Sequence, residues 1–156
     1  MDDREMALYI FRKVVFTLYL EVGGLRPSIH PELSEKADLE NVFFHGEKER
    51  HAAQLYRQTE KETDPERILE PYVLRTHLTL EDVHRLFAEG DWRNKFGGYN
   101  LGGPKWARIA EVALDLRRAI EAQDWEKAAY LVYEVKKLKT NQGYLINQFE
   151  RTDRGR

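Results

Sequence analysis

Four glycines fall within seven residues, Gly97, Gly98, Gly102 and Gly103, and lead directly into Pro104-Lys105-Trp106. Glycine massed ahead of a helix start permits positive φ and close backbone approach, and the free N–H groups of a helix N-terminus attract anions. Lys105 and Arg108 add full positive charges there, while Trp92, Phe96, Tyr99 and Trp106 offer ring faces to a base or another flat group. The stretch thus describes a candidate nucleotide or phosphate pocket made of Trp92, Gly97, Gly98, Tyr99, Gly102, Gly103, Lys105, Trp106 and Arg108. It lacks the Gly-Lys-Ser/Thr ending of a phosphate loop and the preceding strand of a dinucleotide fingerprint. The plainer reading, which the sequence favours, is a tight connection whose glycines let aromatic rings pack against backbone.

Histidine and glutamate offer a second chemistry. Glu81 and His84 stand three apart, the spacing that puts both on one helix face in di-iron bundles, and His77 lies just upstream. A dinuclear site needs a second Glu-x-x-His, which the chain does not contain. Glu47 and His51, with His45 and Glu49 nearby, complete at most a mononuclear site or one shared between subunits. In a helix-rich chain that is 33% charged such pairs arise easily by chance. A metal-dependent helical enzyme built on His77, Glu81, His84 and His51 therefore ranks as a second alternative.

Nucleophilic catalysis has little material. There is no cysteine, and neither Ser28 nor Ser34 stands in a nucleophile elbow. Carboxylates are plentiful, as on any solvated helical surface, so they single out no acid or base. The cluster Lys136-Lys137-x-Lys139, with Tyr130, Tyr133 and Tyr144, is the best candidate for a nucleic-acid face. Lysines in the last turn of a helix are also ordinary complements of its dipole, so nucleic acid is a possible partner but not the favoured one.

These groups are carried by a helical pattern. Apolar residues from Met6 to Val22 cover nearly every face of one long helix, stopped by Gly23-Gly24, and such a helix must be buried centrally or across a subunit contact. Pro27 and Pro31 mark a loop, and one or two surface helices follow between 38 and about 62, interrupted near Gly46. Asp64-Pro65 opens a helix that Pro71 is expected to limit to a short turn. Thr79 and Asp82 nearly form a capping box, Leu78 and Val83 form its hydrophobic staple, and Gly90 ends that helix. Trp106, Ile109, Ala113, Leu116 and Ile120 make one seam; Trp125, Ala128, Val132 and Val135, widened by Leu131 and Leu138, make another. Only Ala122-Gln123-Asp124 separates the two, which predicts an antiparallel hairpin, with Tyr144–Phe149 a possible extension of its second arm.

The expected architecture is a single all-α domain over 1–150, a bundle of about five to six helices ending in that hairpin, with 151–156 a basic tail. Apolar residues make up 42% of the chain, too many for disorder, and the acidic lead Asp2, Asp3 and Glu5 is unlike a signal peptide. Arg12 and Lys13 break the first apolar run short of a bilayer span, so no membrane partner is expected. The absence of cysteine suits the reducing cytoplasm, and no cofactor is implied.

Net charge is −2, but residues 1–90 hold 12 Lys/Arg against 18 Asp/Glu and residues 91–156 hold 13 against 9. Opposite-sign halves attract one another across a fold or a dimer before they attract a third party. The favoured function is a non-enzymatic interaction module that self-associates or binds a protein partner, because its helices carry more apolar surface than a small bundle easily hides.

Overall fold

In the computed structural model, which describes residues 2–22, 31–36, 47–89, 103–140 and 143–144, helix α1 (Asp3–Val22) is the central element. It contacts α6 (Gly103–Glu121) and α7 (Trp125–Lys137), which pack on each other, and α3 (Glu47–Thr59) and α4 (Pro65–Thr76), which do likewise. Helix α5 (Leu80–Glu89) packs against α6. A six-residue helix, α2 (Pro31–Lys36), is tied to α5 by Lys36–Asp82 and Glu32–Arg85 ion pairs. The protein is all-α; the only described strands are β1 (Lys139–Thr140) and β2 (Gly143–Tyr144), two residues each, paired antiparallel.

The central place of α1 follows from its composition. Ile10, Phe11, Val14, Phe16 and Tyr19 point to different sides of the helix, yet all are buried. The alternatives raised by the sequence, burial at the centre or across a subunit contact, resolve in favour of the centre. The helix begins at Asp3 rather than Met6 because Asp2 caps it, its carboxylate accepting from the Glu5 N–H at 2.8 Å. Within it, Arg12 donates from Nε to the Thr59 carbonyl at 3.1 Å and from Nη2 to the Glu62 carbonyl, closing the exposed end of α3.

Helix α4 corrects the expectation placed on Pro71. Asp64 caps it by accepting from the Glu66 N–H at 3.0 Å, and Pro65 occupies its first turn as expected, but the helix continues through Pro71 to Thr76. Proline in a helix interior removes one hydrogen bond and crowds the carbonyl four residues back. Pro71 lies on the outer side of α4, beside Arg67, Glu70 and Leu74, which line an open surface hollow. Burial of Ile68, Leu69 and Tyr72 on the inner side outweighs the penalty. The helix stops at His77, held in the left-handed region at φ 61°, while Thr76 bonds back to Tyr72 and accepts from the Leu78 N–H.

Helix α5 starts as the sequence indicates. Thr79 and Asp82 exchange hydrogen bonds, N–H of Thr79 to the Asp82 carboxylate at 2.9 Å and N–H of Asp82 to the Thr79 hydroxyl at 3.1 Å. Asp124 caps α7 by accepting from the Lys127 N–H at 3.1 Å. Gln123, with φ 56°, turns the chain between α6 and α7, which pack against each other. The second arm is not extended, however. Leu138 leaves the helix in extended conformation and Tyr144 pairs with Lys139 in the short ladder; 145–149 lie outside the described residues.

Tyr19 meets Tyr72 edge-on, with ring centroids 5.1 Å apart, at the boundary of α1 and α4. Burial pushes the Tyr19 hydroxyl up to about 12, against the opposing pull of Arg75. The folded protein thus resists forming this phenolate, whereas the unfolded chain ionises near ~10. Its contribution to stability is complete below pH ~10 and is lost as pH rises toward ~12, by about 1.4 kcal/mol per unit. Urea unfolding between pH 9 and 12 is expected to show this loss, and Tyr19→Phe is expected to flatten it. An unchanged slope in the variant would count against the assignment.

Candidate interaction surface

The inner face of α7 is consumed by the core: Ala128, Leu131, Val132 and Val135 pack toward α1 and α6. The outer face is unusual. Among the described residues, the large apolar side chains left exposed are Leu74 at 68%, Tyr130 at 56% and Tyr133 at 57%. Two of the three sit one turn apart on α7. Lys127 and Lys137 lie over their rings, with Nζ 5.9 Å from the Tyr130 centroid and 4.3 Å from that of Tyr133. Glu134 pairs with Lys137 at 3.6 Å. The arrangement presents two exposed amphipathic rings within a frame of mixed charge.

This surface overlaps only in part with the lysine–tyrosine cluster read from sequence. Tyr130, Tyr133, Lys136 and Lys137 are on α7, but Lys139 and Tyr144 are partners in the β-ladder beyond it. Periodicity in the sequence could have separated them, since Glu126, Tyr130, Tyr133 and Lys137 recur at four, three and four residues opposite the buried seam.

Of the glycine-loop residues, Trp92, Gly97, Gly98, Tyr99 and Gly102 lie outside the described residues, and Gly103 is the first residue of α6. Trp106 is 6% exposed, part of the core, with its ring 6.1 Å from that of Phe87. It therefore offers no open stacking face. Lys105 is half-buried, and Arg108 is paired with Glu111 one turn along α6 at 2.5 Å.

The metal candidates are distributed over two helices and one cap. His51 on α3 contacts Arg75 at 3.2 Å, His77 is the exposed cap of α4, and Glu81 and His84 are on α5. Glu81 accepts a hydrogen bond from Arg117, whose other terminal nitrogen lies 3.6 Å from Glu66, so Arg117 ties α6 to α4 and α5. Burial works to raise the Glu81 pKa, but bonds from Arg117, its own backbone and Thr79 outweigh it and hold the carboxylate below its ordinary value. Among the described residues, no group of three or more histidine and carboxylate side chains is gathered as a metal site.

Sequence reasoning took Lys13 only as a break in an apolar run. It is 2% exposed, its ammonium 4.1 Å above the Tyr56 ring and 5.4 Å from that of Tyr9, so the charge is buried against ring faces within the bundle. A small apolar hollow between α1, α4 and α5, lined by Val15, Tyr19, Leu69 and Val83, has a volume of about 30 Å³. Two open surface hollows are larger. One of about 570 Å³ follows α3 and α4 beside Leu55 and Leu74, and one of about 370 Å³ lies near Arg4, Asp64, Glu121 and Trp125. At the latter, burial and then Glu66 and Asp64 raise the Glu121 pKa against the pull of Arg117.

No protein-family model, curated protein or solved structure matches the chain. Among the described residues, no helix is long and apolar enough to cross a membrane.

Proposed function

We propose that the protein is a non-enzymatic interaction module whose contact surface is the outer face of α7. The observation that carries this reading is the exposure of Tyr130 and Tyr133 in a fold that buries Phe11, Phe16, Tyr19, Tyr56, Tyr72, Phe87 and Trp106. Tyrosine is enriched among the residues that dominate binding energy, because it combines large apolar area with a hydroxyl and few rotatable bonds. Surface of that kind left on one rigid helix is better suited to a partner than to water. The over-apolar first helix no longer argues for association, since its faces are covered within one chain.

A photo-crosslinking residue placed at Tyr133 tests the reading in cells of the source organism, with Glu70 on α4 as an exposed control. Discrete adducts at 133, absent at 70 and lost when Tyr130 is also changed to alanine, are expected. Equal adduct patterns at the two positions would defeat it.

A further inference from the structure

Glu126, Tyr130, Tyr133 and Lys137 form one stripe down the outer face of α7, spaced four, three and four residues apart. This is the spacing with which one helix meets another along a seam. Lys127 and Glu134 flank the stripe on one side, and Ala129 and Lys136 on the other. Read from either end, the stripe is complementary to itself: acid, tyrosine, tyrosine, base.

Resting on the reading of this face as a contact surface, we infer that its occupant is a second copy of the same chain, with the two α7 helices antiparallel about a two-fold axis between Leu131 and Val132. That register sets Glu126 of each copy opposite Lys137 of the other, and Tyr130 opposite Tyr133. On an antiparallel pair the same flanks meet, so Lys127 comes beside Glu134 of the other copy and Ala129 lets the backbones approach on the remaining side. Opposed helix dipoles add to the attraction. A parallel pair would instead oppose Glu126 to Glu126 and Lys137 to Lys137.

The charge pattern also argues against a nucleic acid as occupant. Glu126 and Glu134 interrupt Lys127, Lys136 and Lys137, leaving the face with a net charge of +1. Within one copy, Lys137 and Glu134 already satisfy each other at 3.6 Å, so forming the dimer exchanges partners rather than creating charge pairs from nothing. Three helical turns bury on the order of several hundred Å² per copy, less than the ~800 Å² of a standard interface, so the dimer is reversible and salt-sensitive, with Kd between about 10 µM and 1 mM.

Sedimentation equilibrium of the full chain from about 10 µM to 2 mM decides the matter. The expected result is a monomer–dimer equilibrium that weakens at high salt and disappears in Tyr130→Ala/Tyr133→Ala. Glu126→Lys and Lys137→Glu each weaken it about fivefold or more, and the two together restore it, because the reversed charges again face their opposites. These positions are exposed, so circular dichroism of every variant should match that of the parent.

A monomer throughout the concentration range overturns the inference. So does a dimer indifferent to the tyrosines, which would use another face, or a charge-swapped double variant that stays weak, which would reject the antiparallel register. Micromolar binding of a labelled single-stranded oligonucleotide, abolished by Tyr130→Ala/Tyr133→Ala in a protein that remains monomeric, would assign the face to nucleic acid instead. An adduct at 133 with a different protein, alongside a monomeric sedimentation profile, would overturn the dimer and leave the contact surface standing; no adduct at all would remove both.

Discussion

Replacing Trp106 by alanine is expected to destabilise the protein by about 3–5 kcal/mol, measured by urea unfolding. The sequence places this tryptophan beside a glycine-rich stretch, where a packed ring is the favoured reading and a stacking surface for a ligand the alternative. It lies at the base of α6, 6% exposed and tilted against Phe87 of α5 with 6.1 Å between ring centroids. Truncation would remove the largest side chain from the α5–α6 contact, leave a cavity that Ile109 and Ala110 cannot fill, and forfeit the ring pair itself. Trp106→Phe should recover part of the loss by retaining an aromatic body. A ligand-facing tryptophan would behave differently, losing binding while shifting stability by about 1 kcal/mol or less. That outcome would return the residue to the glycine-loop site.

Phe11→Ala should be equally severe, again about 3–5 kcal/mol. Phe11 is fully buried in α1, the helix that α3, α4, α6 and α7 all contact. A void at that point cannot be closed by shifting one neighbour, since the helices on both sides are held by their own capping and by Arg12 and Arg117. Domains of this size are stable by about 5–15 kcal/mol, so the variant should be largely unfolded in a few molar urea where the parent is not. If Phe11→Ala behaved like a surface substitution, within about 0.5 kcal/mol, α1 would not be the central element.

How much of this could be read beforehand depended on whether the determinant was local. The Thr79–Asp82 capping box and the α6–α7 turn are set by residues within four positions of one another, and each falls where its pattern indicates. Pro71 misled because its penalty is local while its compensation, burial of Ile68, Leu69 and Tyr72, is tertiary. The start of α1 at Asp3 rests on Asp2, whose charge is plain in the sequence but whose capping role is not. Lys13 shows the limit most clearly: composition makes it a surface residue, and only the assembled bundle brings the Tyr56 ring over its ammonium.

The candidate surface was legible in outline. Tyrosines and lysines of α7 stand out in the sequence, but inner and outer tyrosines of the chain have the same chemistry there. Tyr19, Tyr56 and Tyr72 are core, whereas Tyr130 and Tyr133 are more than half exposed. The glycine stretch up to Gly102 lies outside the described residues; of the residues that follow it, Trp106 supplies packing at the first turn of α6.

Tyrosine nitration, mapped by peptide mass spectrometry in intact cells and in dilute purified protein, tests most directly whether α7 carries the contact surface. The buried tyrosines at 19, 56 and 72 serve as internal standards for folding. The account predicts that Tyr130 and Tyr133 react in dilute protein far faster than Tyr19, Tyr56 and Tyr72, and are protected several-fold in cells. Equal reactivity of both residues in the two settings would contradict it.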